Sequence, residues 1–226
     1  MKCRNNPGPL VVPFSRIFNI SMSDKEKMLM NWPERVWIYS PFRVLFQMRE
    51  IRKWMRLVGK TEVGDALEIG CGLGRGAGLL VEQMGFRNVV AFDLEERLVV
   101  RAAKARREQL KEKVSFYVGD AQDLPFQASR FDAVVNFGII HHVLDWRRCI
   151  SEISRVLRPG GYFFFEEIFP PLYANFFMKH IVAHPTEDRF DEPQFLGTLR
   201  SEGLHLVDGV PTGSRFGLVG VARKEG

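Results

Sequence analysis

The run Ala66-Leu-Glu-Ile-Gly-Cys-Gly-Leu-Gly-Arg-Gly76 drives a short apolar stretch straight into a turn that holds four glycines. Bare backbone at Gly70, Gly72 and Gly74 lets a ligand come close and permits left-handed angles. A helix expected over Ala77-Gly-Leu-Leu-Val-Glu-Gln-Met84 would aim its first N–H groups into the same cleft. This is the chemistry of a nucleotide cradle. Gly72-Leu-Gly-Arg-Gly-Ala77 also satisfies the relaxed dinucleotide pattern G-x-G-x-x-A, so an NAD-dependent oxidoreductase enters as one reading. Glu68 stands two residues before Gly70, where a packed strand would take an apolar side chain. An acid there can favour a cationic ligand or brace the loop. Asp93 closes the apolar run Val89-Val-Ala-Phe92, and a carboxylate in that place accepts from both hydroxyls of a ribose. Leu94 beside it can line a flat base or serve as a turn residue.

Further along, Gly119-Asp-Ala-Gln-Asp-Leu-Pro-Phe126 offers Asp120 and Ala121 after a third strand, an acid that NAD domains do not require. Asn136-Phe-Gly-Ile-Ile-His-His-Val-Leu-Asp145 then brings two imidazoles to the end of a fourth. Either His141 or His142 can take a proton from a phenol or enol near neutral pH, or can position a ligand instead. The sequence does not choose between them. His180, His184 and Asp188 form no compact ligand pattern, so no metal is expected.

These residues need a scaffold that delivers them to one edge. From residue 66 short apolar runs alternate with helical patterns, which predicts a parallel sheet covered on both faces. Strands are expected at Ala66 to Ile69, Val89 to Phe92, Val114 to Val118, Phe131 to Asn136 and Gly161 to Glu166. Two more, His205 to Val210 and Phe216 to Ala222, are joined by Pro211-Thr-Gly-Ser-Arg215, too short for a helical crossover, and should pair antiparallel.

Five wound strands closed by a reversed pair, with E-I-G-C-G-L-G, G-D-A-Q-D-L-P-F and Arg155-Val-Leu-Arg-Pro-Gly-Gly-Tyr162, resemble the class I S-adenosylmethionine-dependent methyltransferases. The resemblance covers residues 60 to 223 or so. It implies a doubly wound, Rossmann-like α/β sheet of seven strands, mostly parallel with an antiparallel last strand, over residues 61–226. It also implies S-adenosyl-L-methionine as cofactor, held by Glu68, Gly70, Cys71, Gly72, Gly74, Asp93, Leu94, Asp120, Ala121 and Asn136. By the same resemblance Asp120 receives the adenine amine and the Ala121 N–H meets the ring. The branch most similar is the ubiquinone and menaquinone C-methyltransferases, which usually read F-G-I-R-N-V after strand four. Here that stretch is Phe137-Gly-Ile-Ile-His-His-Val143, and the departure falls at the active site. A small, hydrophobic or lipid-like acceptor is therefore expected; a non-catalytic cofactor-binding protein is the remaining alternative.

Amino-methylating DNA enzymes carry [DNS]-P-P-[YFW] where this chain has Asn136-Phe-Gly-Ile, so no nucleic-acid partner is expected. The net charge of +5 is regional: residues 1–60 hold twelve Lys/Arg against four Asp/Glu. Seven basic residues against two acidic in 97–113 read as a solvated helix face. The extension 1–60 is expected to carry one helix, Pro41 to Val58, with Val44, Leu45, Met48, Ile51, Met55 and Val58 on its apolar face. It could dock on the sheet domain, act as a cap or lid over an acceptor pocket helped by Trp32, Trp37 and Phe42, or touch a membrane surface. Aromatic residues around 167–180 suggest an apolar acceptor pocket. Three separated cysteines, no uninterrupted apolar span and no leader pattern suggest a cytoplasmic protein.

Overall fold

The computed structural model describes residues 36, 39–59, 64–173 and 189–226. Trp32, Trp37, His180, His184, Asp188 and most of the aromatic stretch after Pro171 lie outside them.

Helix α1, Pro41–Val58, has the expected bounds for a local reason. Pro41 sits at the first helical position, the Ser40 hydroxyl accepts from the Phe42 N–H at 3.2 Å, and Gly59 closes the far end at φ 69°. Of the expected face, Ile51 is buried and Val44, Met48 and Val58 pack against the core, whereas Leu45 is 57% exposed and Met55 faces solvent, and Gln47, Glu50 and Trp54 are buried instead. Trp54 decides the rotation. Its ring packs 5.1 Å from Phe137 and 5.7 Å from Phe164, and its indole N–H donates to the Phe165 carbonyl at 3.3 Å. A large ring with one donor to satisfy outweighs two flexible apolar side chains.

The sheet comprises β1 (Asp65–Ile69), β2 (Asn88–Asp93), β3 (Val114–Val118), β4 (Phe131–Phe137), β5 (Leu157–Ile168), β6 (Leu204–Leu206) and β7 (Gly217–Lys224). Their spatial order is β3-β2-β1-β4-β5-β7-β6, all parallel except β7, which runs antiparallel to both neighbours. The order reverses between β1 and β4, the position where open α/β sheets leave a crevice at their carboxyl ends. Around it lie α2 (Arg75–Leu79, continued by a wide turn to Met84), α3 (Glu96–Ala105), α4 (Trp146–Val156), the short α5 (Pro170–Tyr173) and α6 (Glu192–Ser201).

Two strands depart from expectation. β5 begins at Leu157 rather than Gly161, because a register shift between Phe131 and Ala133 lets the Arg158-Pro-Gly-Gly161 bend stay within the ladder. β6 ends at Leu206, since Asp208 and Gly209, the latter at φ 83°, turn the chain away. Alternation along β5 feeds two cores: Phe163 and Phe165 pack under α4 and α6, while Phe164 packs under α1.

Candidate active site

Six of the expected residues line one cavity of about 80 Å³ at the ends of β1, β2, β3 and β4. They are Gly70, Asp93, Leu94, Asp120, Ala121 and His142, joined by Phe92, Gly119, Ile139 and Val143. Glu68, Cys71, Gly72, Gly74, Asn136 and His141 stand outside that lining. Cys71 belongs to the core on the α1 side, where burial raises its thiol pKa well above the ordinary value. The glycines are required by the chain itself more than by ligand approach. A Cβ at Gly70 would collide with the Ile139 side chain, and one at Gly74 would sit 2.5 Å from the Phe116 ring. Gly70, Gly72 and Gly74 all have positive φ, at 69°, 52° and 69°.

Asp93 folds the turn. One carboxylate oxygen accepts from the Gly72 N–H at 2.7 Å, the other from the Glu95 N–H at 2.9 Å, and burial pushes its pKa up to about 6. Asp120 accepts from the Gln122 backbone N–H at 2.9 Å and from its side-chain amide, with burial raising its pKa too. Glu68 is 1% exposed; burial lifts it to about 8, against the pull of Arg43 and of the Ala77 N–H. Its Oε2 has no hydrogen-bond partner. A deeply buried carboxyl with an open acceptor, beside a turn lined by Asp93, fits a ligand that brings a cation and a ribose.

On the other side of the switch point lies a group that sequence reading missed. Glu167, fully enclosed, accepts from the Asn136 side-chain amide at 2.5 Å and from the Ile140 N–H at 2.8 Å. Its second oxygen meets His141 Nδ1 at 2.7 Å. Asn136 Oδ1 in turn accepts from the Ile139 N–H at 2.9 Å. Asn136, expected to touch cofactor, is wholly buried and braces the loop that carries both histidines. The bond to Glu167 selects the tautomer with the proton on Nδ1, which makes Nε2 the basic nitrogen of His141. The His142 ring lies 4.3 Å from it and lines the cavity. The structure thus separates two residues that the sequence left equivalent. A signal existed in Phe163-Phe-Phe-Glu-Glu-Ile168: adjacent acids inside a strand buried on both faces must each find a partner.

Residues 67–165 match the family described as "Methyltransferase domain". Over these residues the chain is similar to S-adenosylmethionine-dependent methyltransferases. A solved S-adenosylmethionine-dependent methyltransferase from Mesorhizobium loti superposes with a TM-score of 0.59 at 21% identity, covering 76% of this chain and 97% of that one. Among curated proteins, a phthiotriol/phenolphthiotriol dimycocerosates methyltransferase of Mycobacterium tuberculosis is 33% identical over 122 residues, which is 53% of this chain and 44% of the relative. A fatty-acid O-methyltransferase of Mycolicibacterium smegmatis is 38% identical over 104 residues, 46% of this chain and 37% of the relative. The chain spans less than half the length of these curated relatives. S-Adenosylmethionine is the cofactor of this methyltransferase domain, and Glu68, Asp93 and Asp120 are the groups present that suit it.

Proposed function

We propose that the protein transfers the methyl group of S-adenosylmethionine to a small, hydrophobic, lipid-like acceptor. The observation that carries this reading is the meeting of Asp93 and Asp120 across one cavity at the switch point, with buried Glu68 on the adjoining strand. The cofactor supplies a methyl carbon already activated by its sulfonium. What the chain contributes is alignment and exclusion of water. In this reading Asp93 holds the ribose, Asp120 and Ala121 the adenine edge, and the Gly70–Gly74 turn the remaining backbone contacts. Leu94 and Val143 keep the cavity apolar. His141, held by Glu167, takes the proton from an acceptor hydroxyl or enol at Nε2, and Glu167 stabilises the imidazolium. His142, on the cavity wall, positions the ligand. A carboxylate acceptor would need no base at all.

The fatty-acid O-methyltransferase relative supports a lipid-like acceptor. So does the outer face of α1, where Phe42, Leu45 and Phe46 are exposed beside the exposed Arg49, Arg52 and Arg56. An apolar and basic face of this kind suits peripheral contact with an anionic bilayer, and no helix among the described residues is long and apolar enough to cross one.

Calorimetry tests the site. Asp93→Ala and Asp120→Ala should each weaken S-adenosylmethionine binding by about 1–3 kcal/mol, the cost of removing a buried polar partner. Unchanged affinity in both variants, or binding of NAD in place of S-adenosylmethionine by the unaltered protein, would reject the assignment. Turnover of labelled cofactor against a lipid extract then identifies the acceptor.

A further inference from the structure

A second recess borders the glycine turn. It encloses about 700 Å³ between the start of α1, α2, α3 and β3, and shares no lining residue with the cavity at the switch point. The turn contributes Gly70 to that cavity and Leu73, Gly74 and Arg75 to this one, and neither His141 nor His142 lines it. Its floor is apolar: Leu79, Leu110, Val114 and Phe116 are buried and belong to the core on the α1 side. Its walls are cationic. Arg75, Arg101, Lys104, Arg106 and Arg107 stand around it, and no described Asp or Glu lines it. Four of these five come from the run 97–113, which the sequence alone assigns to a solvated face.

Most of this charge is not offset. Arg107 is ion-paired with Glu82. Arg75, Arg101 and Arg106 hydrogen-bond to neutral groups instead: the Ser40 carbonyl at 3.0 Å, the Tyr39 hydroxyl at 2.5 Å and the Val114 carbonyl. Glu108, which acts on Arg106 from the neighbouring turn, is itself paired with Lys111 at 2.5 Å. Among the described residues the Arg106 Nε–H is buried without an acceptor, and burial lowers the pKa of that guanidinium. We infer that this recess is a binding site, separate from the methyl-transfer cavity, for a free long-chain carboxylate. The chain lies on the apolar floor, and Arg101, Lys104 and Arg106 receive the head group. Floor and walls each match one half of such a molecule; an inorganic anion would leave the floor unused, and an uncharged hydrocarbon the walls. The volume suits a single small molecule. A bilayer presents its head groups to a protruding face, so an enclosing shape favours the free amphiphile over a membrane surface. The inference does not depend on the cofactor assignment, because binding is read without turnover.

Calorimetry on the full chain tests it, comparing the unaltered protein with a double variant, Arg101→Gln with Lys104→Gln. Both side chains are exposed, so the fold should be kept. The unaltered protein should bind palmitate, and octanoate at least about a hundredfold more weakly, because less chain is buried. The double variant should lose about tenfold in palmitate affinity, as removal of charge-assisted bonds does. Hexadecanol, which has the chain without the charge, should bind both proteins alike. Octanoate bound as tightly as palmitate would reduce the site to a cationic surface, and equal palmitate affinity in both proteins would put the carboxylate elsewhere; either overturns the inference. So does failure of the unaltered protein to bind palmitate. Sedimentation with anionic vesicles separates the membrane source: a double variant that loses vesicles while keeping palmitate assigns these cations to a bilayer and overturns the inference as well. If the double variant fails to fold, Lys104→Gln carries the same comparison.

Discussion

The two halves of the sheet's carboxyl edge solve the same problem in different ways. Along β2 and β3, each acid is satisfied by backbone N–H groups of the turns at the strand ends: Asp93 by Gly72 of the glycine turn and by Glu95, Asp120 by Gln122. Along β4 and β5 the partners come from afar. Glu167 is held by Asn136, Ile140 and His141, and Glu166 by Arg43, 123 residues away. The first half is built from turns, which a short motif encodes. The second is built from tertiary contact, so its acids also hold the fold together. Loss of an acid should thus impair binding in the first half and folding in the second.

The sharpest break in this comparison is Glu167→Ala. It strands the Asn136 amide, the Ile140 N–H and His141 in the interior, and should lower unfolding free energy by about 3–5 kcal/mol in a denaturant titration. Asp120→Ala should leave stability far less affected while weakening cofactor. If the two variants proved equally destabilised, the division between halves would be wrong.

Next in size is the contrast between the histidines. His141→Ala should reduce kcat by about 10²–10⁴-fold on an acceptor that arrives protonated, with cofactor affinity kept. His142→Ala, on the cavity wall, should move cofactor affinity more than kcat. The reverse pattern would exchange their roles.

A smaller and graded effect is expected from pH. Glu50 and Glu68 have folded-state values near 8 against 4.5 for the free side chain, so between those limits the folded chain holds protons that the unfolded chain has released. Stability of the unliganded protein should therefore fall as pH rises from about 5 to 8, by about 1 kcal/mol per pH unit for each group, and level off above. The charged groups around them, Arg43, Lys53, Glu166 and Asp93, set the exact midpoint. Melting curves at pH 6, 7 and 8 measure this. A flat profile would show that these acids ionise freely.

The smallest expected change lies on the outer face of α1. Leu45→Ser with Phe46→Ser should alter stability by no more than about 0.5 kcal/mol per site, because both side chains are already exposed. Sedimentation with anionic vesicles should drop nonetheless; retained sedimentation would take this face out of membrane contact.

The contrast also explains what could be read in advance. The strand positions and the reversed pair follow from apolar period and turn chemistry, which are local properties, whereas the grouping of Gly70, Asp93, Leu94, Asp120 and Ala121 was implied by the family resemblance. Leu45 and Met55 fall outside the buried face of α1 because Trp54, whose place depends on Phe137 and Phe164 in other elements, turns the helix. The position of Asn136 at the end of β4 says nothing in the sequence of its partner. That partner, Glu167, is set by the β4–β5 register, which pairs Asn136 with Phe165 and Phe137 with Glu166.

Sequence by itself determined the donor half of this protein: a glycine turn, three acids at strand ends, and a sheet wound to bring them together. Each acid ends or follows an apolar run beside its own turn, so the spacing within a segment is enough to point to it. Only the tertiary structure decided which histidine has a carboxylate behind it and which face of α1 is buried. Those facts belong to pairs of elements far apart in the chain, and burial is a property that no single segment possesses alone.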